Sequence, residues 1–168
     1  MNDNHYQQNL YMKINLTITG CMGRMGQQLI KSSNKNKIFK IVSLTENFKI
    51  NKKINNILPV FNNVNSFKKT NIIIDFTVPK CTLEVLKIAS KLKKRVVIGT
   101  TGFTKNQEIL IKKYSKKIPI LKAGNMSLGI NLLMYLTEIT SKSLGNNFLS
   151  KVFKFTINTK KITLLAQL

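Results

Sequence analysis

Histidine is all but missing from this 168-residue chain: the single one, His5, lies in a polar N-terminal stretch. There are two cysteines, Cys21 and Cys81, far apart and without CxxC spacing. Neither a His/Cys metal site nor a Ser-His-Asp triad can be assembled from such a set. So few thiols predict a reduced, cytoplasmic setting rather than a disulfide framework. No apolar run approaches the length of a membrane-spanning helix. Residues 1–12, MNDNHYQQNLYM, lack the apolar segment of a secretory signal and are expected to be a disordered extension, with Met12 as a candidate start. Carboxylates are scarce too. Six Asp and Glu stand against 28 Lys and Arg, for a net charge of +22.

So large a positive charge raises nucleic-acid binding as one reading. Its distribution argues against it. Only Arg24 and Arg95 are arginines, and the lysines are spread along the chain. Lys, Asn and Ile recur together, as in INKKINNI at 50–57, and all three have A/T-rich codons. A dedicated binder concentrates Arg and aromatic residues on one face. Codon bias is the preferred explanation, and neither nucleic acid nor a membrane is expected as a partner.

What is present is a hydrophobic content of 43 %, sufficient for a folded core. The apolar pattern predicts strands at 13–19, 39–45, 71–77, 95–102 and 118–123, with a short strand near 58–61 in an otherwise irregular 46–71. Helical spacing is expected at 24–33, 81–92, 105–117 and 127–144. Strands alternating with helices imply βαβ units, hence an α/β fold with a doubly wound parallel sheet. Ligands of such sheets bind beyond the carboxyl ends of the strands. The unusual residues of this chain cluster at those ends.

Gly20, Gly23 and Gly26 follow the first strand and open the first helix. Glycine at such a turn lets the backbone approach a diphosphate, whose charge is favoured at a helix N-terminus. Arg24 stands at the same place and can pair with a phosphate. By itself the triplet also fits a plain strand–helix turn, since it is not G-x-G-x-x-G. Glu46 follows the second strand, where a dinucleotide fold sets an acid for the adenosine ribose. Asp75 lies within an apolar run, where a charge must be paired; a structural role bonding nearby loop amides is expected. IGTTGF at 98–103 is a second glycine turn, whose amides and hydroxyls suit the nicotinamide side. AGNMSLGINLL at 123–133 is a third junction, with Asn125 and Ser127 suited to polar contacts or capping.

GCMGRMG, IIDFTVPKCTLEVL, VVIGTTGF and AGNMSLGINLL, in this order and spacing, resemble the dihydrodipicolinate (4-hydroxy-tetrahydrodipicolinate) reductases of lysine and diaminopimelate biosynthesis over roughly residues 13–148. The resemblance implies a Rossmann-type cofactor domain, assigned to 13–126, and the start of a mixed α+β substrate and tetramerisation domain at 127–154. It implies hydride transfer from NADPH or NADH to a cyclic imine dicarboxylate, a small-molecule substrate, within a homotetramer. It assigns Gly20, Cys21, Met22, Gly23, Arg24 and Met25 to the diphosphate and Glu46 to the ribose. Gly99, Thr100 and Thr101 would then flank the nicotinamide, and Ala123, Gly124, Asn125 and Met126 would close over it. Some relatives place an Arg directly after the acid, where it can meet a 2′-phosphate. Here Asn47 stands there, with Lys49 close by in sequence.

The chain departs from that family in one stretch. The resemblance calls for a later H-H-x-x-K-x-D-x-P-S-G-T-A, whose histidines and lysine serve the substrate, and no such stretch follows. No catalytic residue is therefore assigned. Joining the last base of each codon to the first two of the next permits every fixed position of that motif. Phe155–Thr156 and Thr156–Ile157 permit His, Thr159–Lys160 permits Lys, Lys161–Ile162 permits Asp, and Thr163 to Leu168 permit P-S-G-T-A. The expectation is a frameshift near Phe153–Phe155, with 155–168 out-of-frame text and a chain that binds the dinucleotide but turns over little. A non-catalytic nucleotide-binding module is the alternative.

Overall fold

The computed structural model describes residues 13–123 and 126–145. The expected N-terminal extension and the expected out-of-frame tail both lie outside the described residues. The chain divides into two units at Gly124.

Within the first unit, β1 (Ile14–Thr19), β2 (Phe39–Thr45), β3 (Ile72–Asp75), β4 (Arg95–Ile98) and β5 (Ile120–Lys122) form one sheet in the order β2-β1-β3-β4-β5. Every pairing is parallel, as the alternation of strands and helices predicts. α1 (Arg24–Lys35), α2 (Val64–Lys68), α3 (Pro79–Lys91) and α4 (Lys105–Ser115) are the crossover helices.

Two hydrophobic clusters lie on opposite faces of this sheet. Ile18 of β1, Ile41 and Leu44 of β2 and Ile30 of α1 make one. Phe67 of α2, Ile73 of β3, Val85 and Leu86 of α3, Val96 of β4 and Ile111 of α4 belong to the other. Ile73 is level with Thr17, one residue before Ile18, so the alternation of side chains along β1 separates the two faces. Helices on both faces make the sheet doubly wound. A bulge sits between Leu16 and Thr17, where β2 carries one extra residue. It brings Ile41 opposite Leu16 and Leu44 opposite Ile18, so that residues three apart share a face.

The strands are shorter than their apolar runs, since pairing stops where the turns begin. β3 ends at Asp75 and β4 at Ile98. α3 starts at Pro79 rather than at 81, because proline is accepted in the first helical turn, where no amide partner is required. Residues 58–61 make a single bridge, Val60 to Thr45, rather than a strand. Asn55 and Asn56 both take positive φ, 53° and 60°, and turn the chain between Ile54 and Ile57. The region read as irregular also holds α2. Its signal is local: Asn63 Oδ1 accepts from Ser66 N at 2.9 Å, and Ser66 Oγ accepts from Asn63 N at 3.0 Å.

The second unit is described through α5 (Leu128–Leu144). Ser127 caps it by accepting from Ile130 N, and none of its residues is buried.

Candidate functional site

In the order β2-β1-β3, the chain leaves β1 for one side of the sheet and later resumes at β3 on the other. Ligands of open α/β sheets bind where that reversal opens a crevice. A cleft of about 230 Å³ lies there, lined by Gly20, Gly23, Glu46, Asn47, Asn62, Phe76, Thr77, Val78 and Cys81.

The first wall is the turn from β1 to α1. Gly20 adopts φ of +70°, and a Cβ there would meet Phe76 O at 2.6 Å. Gly26 lies one helical turn on, and a Cβ there would fall 2.2 Å from Gly20 O. These two glycines press the helix end against the strand end. Gly20 N and Cys21 N donate to Thr45 O at 3.0 and 3.3 Å, and Gln27 Nε2 donates to Cys21 O at 2.7 Å. No side chain caps α1 and no acid stands in its first turn. α3 likewise begins without a side-chain cap. By contrast α4, whose N-cap residue Thr104 is not among the lining residues, carries a full capping box between Thr104 and Gln107. An uncapped N-terminus leaves amide donors and positive partial charge for an anion. Arg24 and Met25, exposed at that end, extend the same surface.

Glu46 forms the second wall. Its Oε2 accepts from Met22 N at 3.1 Å and its Oε1 from Asn47 N at 3.1 Å. Both carboxylate oxygens are thereby oriented beside the glycine turn, each keeping acceptor capacity for a hydroxyl donor. Cys21 is buried against Ile18, so only its backbone belongs to the turn. Burial first, and then the charge of Glu46, push its thiol from an ordinary 9.0 up to about 11. The thiol of Cys81 is raised as well, chiefly by burial, while hydrogen bonds from Thr77 and Asn62 pull the other way. Both cysteines are free thiols held in their protonated form.

Asp75 is wholly buried, and its partners are threonine hydroxyls rather than the loop amides expected. Oδ1 accepts from Thr19 Oγ1 at 2.5 Å and Thr77 Oγ1 at 2.8 Å. Oδ2 accepts from Thr82 Oγ1 at 2.5 Å and Thr100 Oγ1 at 2.9 Å. Thr77 N in turn donates to Thr100 Oγ1 at 2.9 Å. Thr100 therefore turns its hydroxyl inward, while Thr101 is exposed. Gly99 lies under the Phe76 ring, where a Cβ would fall 2.1 Å from ring carbons. The turn after β4 is thus packed against a residue that lines the cleft.

Residues 14–126 match the family described as dihydrodipicolinate reductase, N-terminus. The chain belongs to the dihydrodipicolinate reductase family. It is 70% identical over 149 residues to the 4-hydroxy-tetrahydrodipicolinate reductase of Pelagibacter ubique strain HTCC1062, covering 89% of this chain and 58% of that protein. It is 38% identical over 147 residues to the enzyme of the same name from Buchnera aphidicola subsp. Cinara cedri, covering 80% of this chain and 54% of the relative. Among solved structures it is similar to the dipicolinate-bound dihydrodipicolinate reductase of Paenisporosarcina sp. TG-14. That likeness has a TM-score of 0.62 at 27% identity, over 77% of this chain and 54% of that one. The chain spans between half and two thirds of the length of these relatives.

Dihydrodipicolinate reductases use NADH or NADPH and act in lysine and diaminopimelate biosynthesis, and the matched portion is the family's nucleotide-binding part. Of the residues the sequence singles out, the structure brings Gly20, Gly23 and Glu46 to one cleft, with Cys21, Met22, Arg24 and Met25 on the same turn. Gly99, Thr100 and Thr101 follow β4, two strands from β1. Ala123 follows β5, Gly124 and Asn125 lie outside the described residues, and Met126 belongs to the second unit. Sequence reasoning gave no site role to Asn62, Phe76, Thr77, Val78 and Cys81. The strand-end rule, applied to β3 as it was to β1, points to Phe76–Val78. Asn62 is thirteen positions before Asp75 on a segment with no periodic pattern, and only the fold brings it to the cleft.

Proposed function

We propose that the chain binds NADH or NADPH in the cleft between β1 and β3. We further propose that it is the cofactor part of a reductase converting 4-hydroxy-tetrahydrodipicolinate to tetrahydrodipicolinate. The observation that carries this reading is the pairing of an uncapped helix N-terminus with a backbone-oriented carboxylate across one turn. Gly26 lets the helix end pack directly against Gly20 O, Met22 to Met25 lie exposed at the helix start, and Arg24 is among them. Those residues suit a diphosphate. Glu46 suits the ribose diol, because its oxygens accept and the hydroxyls donate.

The bound dinucleotide supplies the hydride. The residues of this chain bind and orient it: Gly20 to Met25 hold the diphosphate, Glu46 the ribose, and Gly99 to Thr101 flank the nicotinamide. Ala123, which follows β5, is proposed to contribute at the same end. Asn47 follows the acid and lines the cleft without a cation, which favours acceptance of NADH alongside NADPH. The proposed setting is the cytoplasm, the proposed assembly of the full-length protein a homotetramer, and neither nucleic acid nor a membrane a partner. No helix among the described residues is long and apolar enough to cross a membrane.

Titration with NADH and NADPH, followed by addition of the imine substrate, tests the reading. Saturable binding supports the site, and turnover supports the full activity. Binding without turnover fits a nucleotide-binding module or a chain lacking its substrate residues. Absence of a saturable signal with either dinucleotide removes the proposal. Nucleic-acid binding would show instead as a steeply salt-dependent affinity that Gly23→Ala leaves unchanged. The displaced-frame reading of 155–168 is checked in the coding DNA, which must encode the substrate motif out of phase.

A further inference from the structure

Among the described residues Asp75 is the one carboxylate that is completely buried, and nothing in the cofactor reading uses it. It cannot touch a ligand. Its four hydroxyl partners nevertheless come from four different places. Thr19 is the last residue of β1, directly before Gly20. Thr77 lines the cleft after β3. Thr82 lies in the first turn of α3. Thr100 lies in the glycine turn after β4. The two oxygens divide these partners, so that Oδ1 serves Thr19 and Thr77, and Oδ2 serves Thr82 and Thr100.

The cluster also has a direction. Thr100 Oγ1 accepts from Thr77 N, so its single proton is committed to Asp75. The backbone repeats the link, since Gly99 N donates to Asp75 O at 2.8 Å. The two carboxylate oxygens together carry enough lone pairs to accept from all four hydroxyls.

We propose that Asp75 is a positioning residue of the cofactor site. Through Thr100 it sets the turn after β4, and through Thr19 and Thr77 it sets that turn's distance from the β1 and β3 turns. This rests on the dinucleotide reading, in which the diphosphate meets the β1 turn and the nicotinamide meets the β4 turn. A ligand that spans two turns binds tightly only when their spacing is already correct. A ligand confined to the adenosine half does not need the β4 turn.

The test uses the full chain, with NADH and ADP as probes, at a temperature where each variant is folded by circular dichroism. Thr100→Val removes the hydroxyl with little change of shape, and Thr100→Ser keeps it. Thr100→Val is expected to weaken NADH about tenfold, to leave ADP within about twofold, and to be rescued by Thr100→Ser, tenfold being a 1.4 kcal/mol change. Asp75→Asn is expected to follow the same pattern, and if it does not fold the Thr100 pair decides the matter. A folded Thr100→Val chain with unchanged NADH affinity and only a lower melting temperature makes the cluster a stability element and overturns the proposal. Equal losses for NADH and ADP overturn it too, because the effect is then not on the spacing of the turns. Wild-type protein that binds ADP but gains nothing from the nicotinamide half removes the positioning role alone, whereas failure to bind either probe removes the dinucleotide reading beneath it.

Discussion

At the residue scale, the three glycines of the first turn are not equivalent. Gly20 needs its positive φ, and Gly26 needs the space that a Cβ would share with Gly20 O at 2.2 Å. Alanine at Gly26 must move backbone, and a loss of about 3 kcal/mol in urea unfolding is expected, the upper end of ordinary overpacking costs. Gly23 differs. Its φ of −65° suits any residue, and a Cβ would approach Gly20 O only to 3.3 Å. Gly23→Ala is therefore expected to fold with a stability change under about 1 kcal/mol, yet to lose NADH affinity tenfold or more, because the added methyl sits on the turn proposed to hold the diphosphate. Measured together, the melting curves and the NADH titrations separate the two roles. Cys21 gives a pH test. Its thiol keeps its proton up to about 11 in the folded chain, against 9.0 ordinarily. Below 9.0 both states are protonated and the group has no effect. Between those values only the unfolded chain loses the proton, so this contribution to stability falls as pH rises. The stability difference between wild type and Cys21→Ala is expected to shrink across that window in urea unfolding at constant ionic strength.

At the element scale, capping separates helices held by their own ends from helices left open. α2 and α4 carry capping boxes, and α5 is capped by Ser127. α1 and α3, whose N-cap residues Gly23 and Val78 themselves line the cleft, have none. Thr104→Ala removes the α4 cap, so a loss of about 1 kcal/mol is expected with no change in NADH affinity. A parallel loss of affinity would show that the α4 cap also helps hold the turn after β4. The element boundaries were legible where the signal was local: apolar spacing for α1 and α4, and glycine after β1. α2 escaped because five residues carry too little periodicity to register. The bulge in β2 escaped because nothing in FKIVSLT marks the extra residue; only the demand that Ile41 and Leu44 reach one face does.

At the scale of the whole molecule, a net charge of +22 opposes compaction. Only two ion pairs occur among the described residues, Lys122–Glu108 and Lys142–Glu138. Most lysines therefore repel one another without local relief. Raising ionic strength from about 0.01 to about 0.15 M shortens the screening length from about 30 to about 8 Å. The midpoint of thermal unfolding is expected to rise by a few degrees across that range, as followed by circular dichroism. A midpoint that falls would mean that the surviving pairs outweigh the repulsion. In the second unit, Leu128, Leu132, Tyr135, Leu136 and Ile139 recur at helical spacing along α5 and are all exposed.

The order of the five paired strands and the four longer helices, the glycine turn and the acid after β2 were determined by the sequence alone. Each depends on neighbours in the chain: a period of apolar residues, a residue without a side chain, a charge at a strand end. The tertiary structure decided what lies between distant segments. It turned the expected loop-amide partners of Asp75 into four threonine hydroxyls and turned Thr100 inward. It also brought Asn62 and Cys81 to the wall of the cleft. The physical reason is that a parallel sheet sets side by side strands that are tens of residues apart, so contacts at its carboxyl edge have no signature in local spacing.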